Sequence, residues 1–175
     1  MPEPGPASAF LREVLPRLGA AGPVLDLACG RGRNAHAAAA AGLRVIGIDR
    51  NREALRALRR GAGGAAVAVA QADLESGHGI PATDACFAAV LVFRYLHRPL
   101  ASEIERVLRP GGWLVYETFT TAQRDLGYGP HRAAFLLHPA ELPSLFPGLS
   151  VERFEELLTS GARPEALARL LARKP

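Results

Sequence analysis

Between Val24 and Asn34 the sequence reads VLDLACGRGRN, an apolar run that holds one acid and ends in a turn punctuated by Gly30 and Gly32. Glycines in the turn from a first parallel strand into a helix let backbone N–H groups approach a ligand at the edge of a sheet. Asp26 stands in the same segment, four residues before Gly30, and a carboxylate there repels phosphate and attracts a cation. Asp49, nineteen residues beyond Gly30, ends the next apolar run, where an acid takes ribose hydroxyls. Gly30, Gly32 and Ala35 also satisfy a dinucleotide fingerprint, so the loop alone fits either a dinucleotide or an adenosine that carries an amino acid. Asp26 together with Asp73 and Leu74 separates the two readings, because carboxylates welcome a cationic amino acid and oppose a pyrophosphate.

Such residues need elements that bring several strand ends together. After a proline-rich leader over 1–8, expected to be loose, Phe10, Leu11, Val14, Leu15 and Leu18 recur at helical spacing over 9–18, with Ser8 as N-cap and Gly19 as stop. Apolar runs predict strands from Val24, over 43–49, over the stretch AAVAVAQADL ending near Asp73, over 87–93 and over 113–119. Between them, RNAHAAAAAG to Gly42, 52–60 and 100–108 read as helices, the last stopped by the RPGG of 109–112. Strands alternating with helices of this length predict a parallel sheet with right-handed crossovers. Residues 120–148 break the rhythm with glycine, proline and histidine and no strand. The segments 150–158 and 165–173, joined by TSGARP, suggest a hairpin at the sheet edge, although 165–173 fits a helix as well as a strand.

Composition narrows the class. In 175 residues, 49% hydrophobic and 22% charged, the chain has the makeup of one ordinary globular domain and not of a disordered segment. The +4 charge comes from twenty arginines and a single lysine, Lys174, a skew that resembles coding bias more than adaptation to polyanions. Arg52, Arg56, Arg59 and Arg60 have no interleaved aromatics and read as a solvated helix face, so nucleic acid is not favoured as a partner. No run reaches the ~18 apolar residues of a membrane span, and the start lacks the pattern of a signal peptide. Cys29 and Cys86 read as free thiols of a cytoplasmic protein. Neither the cysteines nor the five histidines have metal-ligand spacing, so no metal is expected.

The ordered set resembles the class I S-adenosylmethionine-dependent methyltransferases. Asp26-Leu27-Ala28-Cys29-Gly30-Arg31-Gly32 is similar to that family's first motif, Asp49 to its ribose-binding acid and Asp73-Leu74 to its adenine-contacting pair. VLRPGGWLVYE, from Val107 to Glu117, is similar to its turn into the fifth strand. LACGRGRN, RYLHRP and YETF further resemble the short bacterial methyltransferases related to the tellurite-resistance protein TehB. The resemblance implies a Rossmann-like, doubly wound α/β fold of about seven strands, mostly parallel with the last antiparallel, and helices on both faces. It places Asp26 near the methionine amino group and lines the cofactor with Ala28, Gly30 and Gly32; Asp49 takes the ribose diol, Asp73 the adenine amine and the Leu74 amide an adenine ring nitrogen. Arg50 would pack on the adenine or point to solvent, Phe93 at the end of the fourth strand joins the cofactor set, and Asn34 caps the helix or orients the loop. A single domain then divides into a leader and first helix (1–22), a cofactor core (23–119), a substrate or lid insert (120–148) and a terminal hairpin (149–175).

Methyl transfer is an in-line displacement at a sulfonium carbon, so a protein mainly supplies alignment and exclusion of water. The acceptor side falls to the end of the fourth strand and the insert. There Arg94 occupies the place where many amino-methylating enzymes carry Asn or Asp before a Pro-Pro-aromatic run, which disfavours DNA or protein-glutamine N-methylation. Arg94 suits an anionic acceptor or structures its loop, Tyr95 neighbours it, and His97 reads as a capping or loop residue. Glu117 points into the cleft or is a buried carboxylate paired with an arginine such as Arg94. Tyr128, His131, Arg132 and His138 form a polar set on a loop able to lid the pocket. The expected activity is methyl transfer to a small molecule, with RNA methylation, a small nicotinamide-dependent oxidoreductase and a non-catalytic cofactor-binding module as alternatives.

Overall fold

The computed structural model describes residues 5–19, 21–61 and 67–175. Residues 1–4 of the leader and the opening alanines of the third apolar run lie outside that set. The elements are α1 (Ala9–Leu18), β1 (Val24–Leu27), α2 (Arg33–Ala40), β2 (Val45–Asp49), α3 (Arg52–Gly61), β3 (Val67–Gln71), β4 (Phe87–Phe93), α4 (Ala101–Val107), β5 (Leu108–Phe119), α5 (Glu141–Ser144), β6 (Ser150–Leu158) and β7 (Ala166–Arg173), with short 3-10 turns before α4 and in the insert.

Seven strands form one sheet in the order β3-β2-β1-β4-β5-β7-β6. β1 pairs in parallel with both β2 and β4, so the winding reverses between β1 and β4, and a crevice opens outside their carboxyl ends. The register sets Leu27 opposite Ile48 on one side and Val92 on the other, which places Ala28 and Arg94 side by side at that crevice. β7 runs antiparallel between β5 and β6.

Alternation along each buried strand feeds two cores. Val90 and Val92 of β4 join Leu25, Leu114 and Tyr116 beneath α4 and α5, while Ala89, Leu91 and Phe93 join Phe10, Val14, Ala35 and Leu58 beneath α1, α2 and α3. The sheet is thus covered on both faces, as the sequence pattern implies.

Two local expectations change, and a third reading left open between helix and strand resolves as the strand of the expected hairpin. Leu108 to Gly112 belongs to the strand: β5 starts at Leu108 and slips register opposite Phe87 and Ala89, with Gly111 at φ 72°. Ala166–Arg173 is a strand although it is rich in leucine and alanine, because it is flanked by hydrogen-bonding partners on both edges and is almost wholly buried. The leader is not loose at its end: Ser8 is buried, its N–H donates to Asn34 Oδ1 at 3.0 Å, and its hydroxyl donates to Glu117 Oε1 at 3.0 Å and accepts from Phe10 N–H at 3.2 Å, capping α1 as expected.

Candidate active site

Two adjoining cavities occupy the crevice, and Ala28 and Arg94 line both. One, of about 430 Å³, is walled by Asp49, Arg50, Asp73, Leu74, Glu75, Tyr95, Leu96, Phe119, Pro130 and Phe135. The other, of about 480 Å³, is walled by Gly5, Asp26, Gly30, Arg31, Asn34 and Phe93 among others. Ala28 at φ 51° and Arg94 at φ 59° are two of four described non-glycine residues in the left-handed region, so backbone strain is concentrated where the cavities meet.

The loop after β1 is built for close approach. Gly32 sits at φ 83°, and a Cβ there would lie 2.1 Å from a Leu58 methyl, so only glycine lets α2 start against α3. Gly30, at φ 54°, has open space where a side chain would stand. Its N–H donates to Asp49 Oδ2 at 2.7 Å, and Asn51 N–H donates to Oδ1 at 2.8 Å, so the acid at the end of β2 holds the glycine loop in place. Asn51 in turn accepts from Glu53 and Ala54 N–H groups and caps α3. Asp73 Oδ1 accepts from Glu75 N–H at 3.0 Å, which fixes the turn after β3.

Asp26 is 2% exposed, and its Oδ2 has no hydrogen-bond partner. Burial lifts its carboxyl to about 7, against the pull of the Ala35 N–H and the Arg33 charge. Arg31 Nε, in the same cavity, is likewise buried and unpartnered. An orphan carboxylate beside an orphan guanidinium N–H complements a zwitterion, whose ammonium and carboxylate would satisfy both. Sequence reasoning missed Arg31 as a site residue, since it stands between two glycines and nothing in the spacing marks its side chain.

On the other side, Arg94 lies over the Phe119 ring at 4.7 Å, and its Nη2 reaches Glu165 at 2.6 Å and Glu117 at 3.7 Å. Its Nε and Nη1 are buried without partners, as is the Tyr95 hydroxyl. Burial, with Glu75 and Asp73 nearby, holds the Tyr95 phenol proton above its ordinary range.

Several residues depart from their expected places. Glu117 is 1% exposed and lines neither cavity; it accepts from Ser8 Oγ and from Arg169 Nε at 2.7 Å, so the buried-pair reading is the one the structure shows, with Arg169 as the closer partner. Asn34 does not cap α2, whose N-cap is Gly32; its side chain secures the leader instead. Tyr128 turns away from the cavity, its hydroxyl donating to Pro164 O and its ring lying under Arg163. His131, Arg132 and His138 also fall outside the cavity walls, to which the insert contributes Pro130 and Phe135. His97 occupies the N-cap position of the turn before α4 without a side-chain cap. Arg98 is the insert's anchor: Nε and Nη2 grip Glu141 at 2.5 and 2.8 Å, and Nη2 and Nη1 reach the Leu136 and Ala134 carbonyls.

Known proteins place this arrangement. A family model described as "Methyltransferase domain" matches residues 24–112, half of the chain and the whole glycine loop. No curated protein matches the sequence significantly. Solved structures share the fold at low identity. A SAM-dependent methyltransferase from Methanosarcina mazei is 20% identical with TM-score 0.76, over 97% of this chain and 99% of that one. TehB from Haemophilus influenzae is 17% identical with TM-score 0.76, over 95% and 61%. A protein studied for the conversion of a disulfide bond into a thioacetal group during echinomycin biosynthesis is 19% identical with TM-score 0.77, over 97% and 83%.

Proposed function

The chain belongs to the methyltransferase-domain family and is an S-adenosylmethionine-dependent methyltransferase, and from that premise we propose that it methylates a small molecule held between β4, β5 and the insert. The observation that carries this reading is the pair of orphan atoms, Asp26 Oδ2 and Arg31 Nε, in a cavity continuous through Ala28 with one walled by Asp49 and Asp73. When bound, the cofactor supplies a methyl group on a sulfonium sulfur. Asp26 and Arg31 take the charges of its amino-acid end, the Gly30 and Gly32 backbone gives it room, and Phe93 packs beside it. Asp49, already oriented by Gly30 N–H, accepts from the ribose hydroxyls; Asp73 and the Leu74 amide read the adenine edge, and Arg50 covers it.

Within this division of labour, residues 23–119 bind the cofactor, 120–148 wall the acceptor space and 149–175 brace it through Glu165 and Arg169. Arg94 and Tyr95 face the acceptor, and Glu117 positions Arg94 without touching substrate. A small acceptor fits because apolar Leu96, Phe119, Pro130 and Phe135 wall a space of a few hundred cubic ångströms. No described helix is long and apolar enough to cross a membrane. We place the protein in the cytoplasm, where unpaired Cys29 and Cys86 stay reduced.

Calorimetric titration with S-adenosylhomocysteine tests the cofactor site. Binding at stoichiometry one is expected; no heat at millimolar ligand would overturn it.

A further inference from the structure

The acceptor end of the crevice holds unmet donors. Arg94 Nε and Nη1 and the Tyr95 hydroxyl are buried without partners. Glu165 takes only the Nη2 of Arg94, so the guanidinium keeps two N–H directions unused. The walls beyond them are apolar: Leu96, Phe119, Pro130 and Phe135, the last 42% exposed at the rim.

Glu117 is sealed by Ser8 and Arg169, His131 and His138 line neither cavity of the crevice, and His97 lines a neighbouring cavity with His78 and Glu103. The cavity's carboxylates, Asp49, Asp73 and Glu75, follow β2 and β3, and Asp73 and Glu75 lie near enough to Tyr95 to help hold its proton. Tyr95 keeps its proton and so donates a hydrogen bond without serving as a base. Around Arg94 itself an acceptor meets unmet donors, which favour a group that arrives as an anion over one that must lose a proton there.

Resting on the methyltransferase reading, we propose that the acceptor enters already deprotonated, as a thiolate or carboxylate carried on an apolar, aromatic-sized body, with Arg94 and Tyr95 taking the anionic head and Phe119 and Phe135 the body. The chemistry then balances without a base. A lone pair of the anion forms the new bond to the methyl carbon, the carbon–sulfur bond of the sulfonium breaks, and its electron pair stays on sulfur as a neutral thioether. Anion and cation neutralise each other, and no proton leaves. The apolar walls Leu96, Phe119, Pro130 and Phe135 suit that step, because charge that vanishes along the reaction is hydrated less well in the transition state than in the separated ions.

The test is binding of simple probes to the protein saturated with S-adenosylhomocysteine, followed by calorimetry. Benzoate and thiophenolate should bind at least tenfold more tightly than benzyl alcohol, with benzylamine weaker still; which of the two anions binds better separates carboxylate from thiolate. R94M should cost the anions about tenfold and leave benzyl alcohol unchanged, with R94K keeping part of the loss. F135A, on an exposed side chain that the fold does not need, should weaken anions and benzyl alcohol alike. Benzylamine or benzyl alcohol binding as tightly as benzoate, or R94M leaving benzoate unaffected, overturns the proposal. Failure of S-adenosylhomocysteine itself to bind overturns the cofactor reading instead, so the two failures are told apart.

Discussion

The cavity beside the glycine loop and the wall formed by β4, β5 and the insert meet at Arg94, but they are held in different ways. Beside the loop, position comes from backbone: Asp49 is fixed by the N–H groups of Gly30 and Asn51, three and two residues of chain from strand ends, and the orphan atoms are one acceptor and one donor. At the wall, position comes from charged side chains drawn from distant parts of the chain. Glu117 is gripped by Ser8 and Arg169, Arg94 by Glu165, and Arg98 by Glu141, and the orphan atoms are donors. A site made by local backbone keeps its geometry from a short motif, whereas one made by long-range ion pairs depends on the whole fold.

That contrast breaks most sharply at Glu117. Removing a fully buried carboxylate leaves Arg169 and Arg94 each short of a partner, so Glu117→Ala should cost about 3 kcal/mol or more and lower Tm by roughly 10 °C, measured by calorimetric unfolding. If Tm is unchanged, the wall is not held by its ion pairs. Asp49→Ala, which gives up the Gly30 and Asn51 hydrogen bonds, should lower Tm by less than Glu117→Ala and weaken S-adenosylhomocysteine binding by about 2–3 kcal/mol, roughly 30- to 150-fold.

The same contrast explains what could be read in advance. β1, β2 and β4 are largely buried parallel strands and β3 a half-exposed edge strand, all with apolar runs that announce themselves, and Asp49 and Asp73 stand at or just past the ends of β2 and β3. The wall gave less: Glu117 could be read as a buried partner for an arginine such as Arg94, and 150–173 as an edge hairpin, but most of its partners could not. Nothing in the sequence pairs Arg94 with Glu165, 71 residues away, or Ser8 with Glu117, 109 residues away. Phe135 and Pro130 lie in a stretch without periodicity, and Ala166–Arg173 is a strand by tertiary pairing against its own helical propensity. Asn34 at the start of α2 resembles a cap, but the cap position belongs to Gly32, and Asn34 serves a residue 26 positions earlier.

A smaller effect sharpens the division at the insert. Arg98→Ala removes the grip on Glu141 and on the Ala134 and Leu136 carbonyls, so proteolysis within 120–148 should accelerate several-fold at a stability cost of about 1–2 kcal/mol. The affinity for S-adenosylhomocysteine should stay within twofold, since no Arg98 partner lines the cofactor end. A large loss of cofactor affinity would mean that loop and wall are one unit.

The subtlest separation is by proton. Asp26 is lifted to about 7 by burial, with Asp49 adding to the rise and Arg33 and the Ala35 N–H opposing it. A folded-state pKa above the unfolded value means that the folded, cofactor-free protein binds the extra proton, so this group's stabilising contribution is complete below about pH 4 and is lost as pH rises towards 7. An ammonium placed against Asp26 reverses the preference and favours the carboxylate. Binding of S-adenosylhomocysteine near pH 7 should therefore release about half a proton, read from calorimetric heats in buffers of different ionisation enthalpy. Below that pH the acid must first be deprotonated, and affinity should fall by up to about tenfold per unit. Asp26→Asn should abolish the proton release while the anion selectivity at Arg94 remains, because the two ends answer to different charges. If proton release persists in that variant, the titrating group is not Asp26, and the orphan carboxylate is not where the ammonium goes.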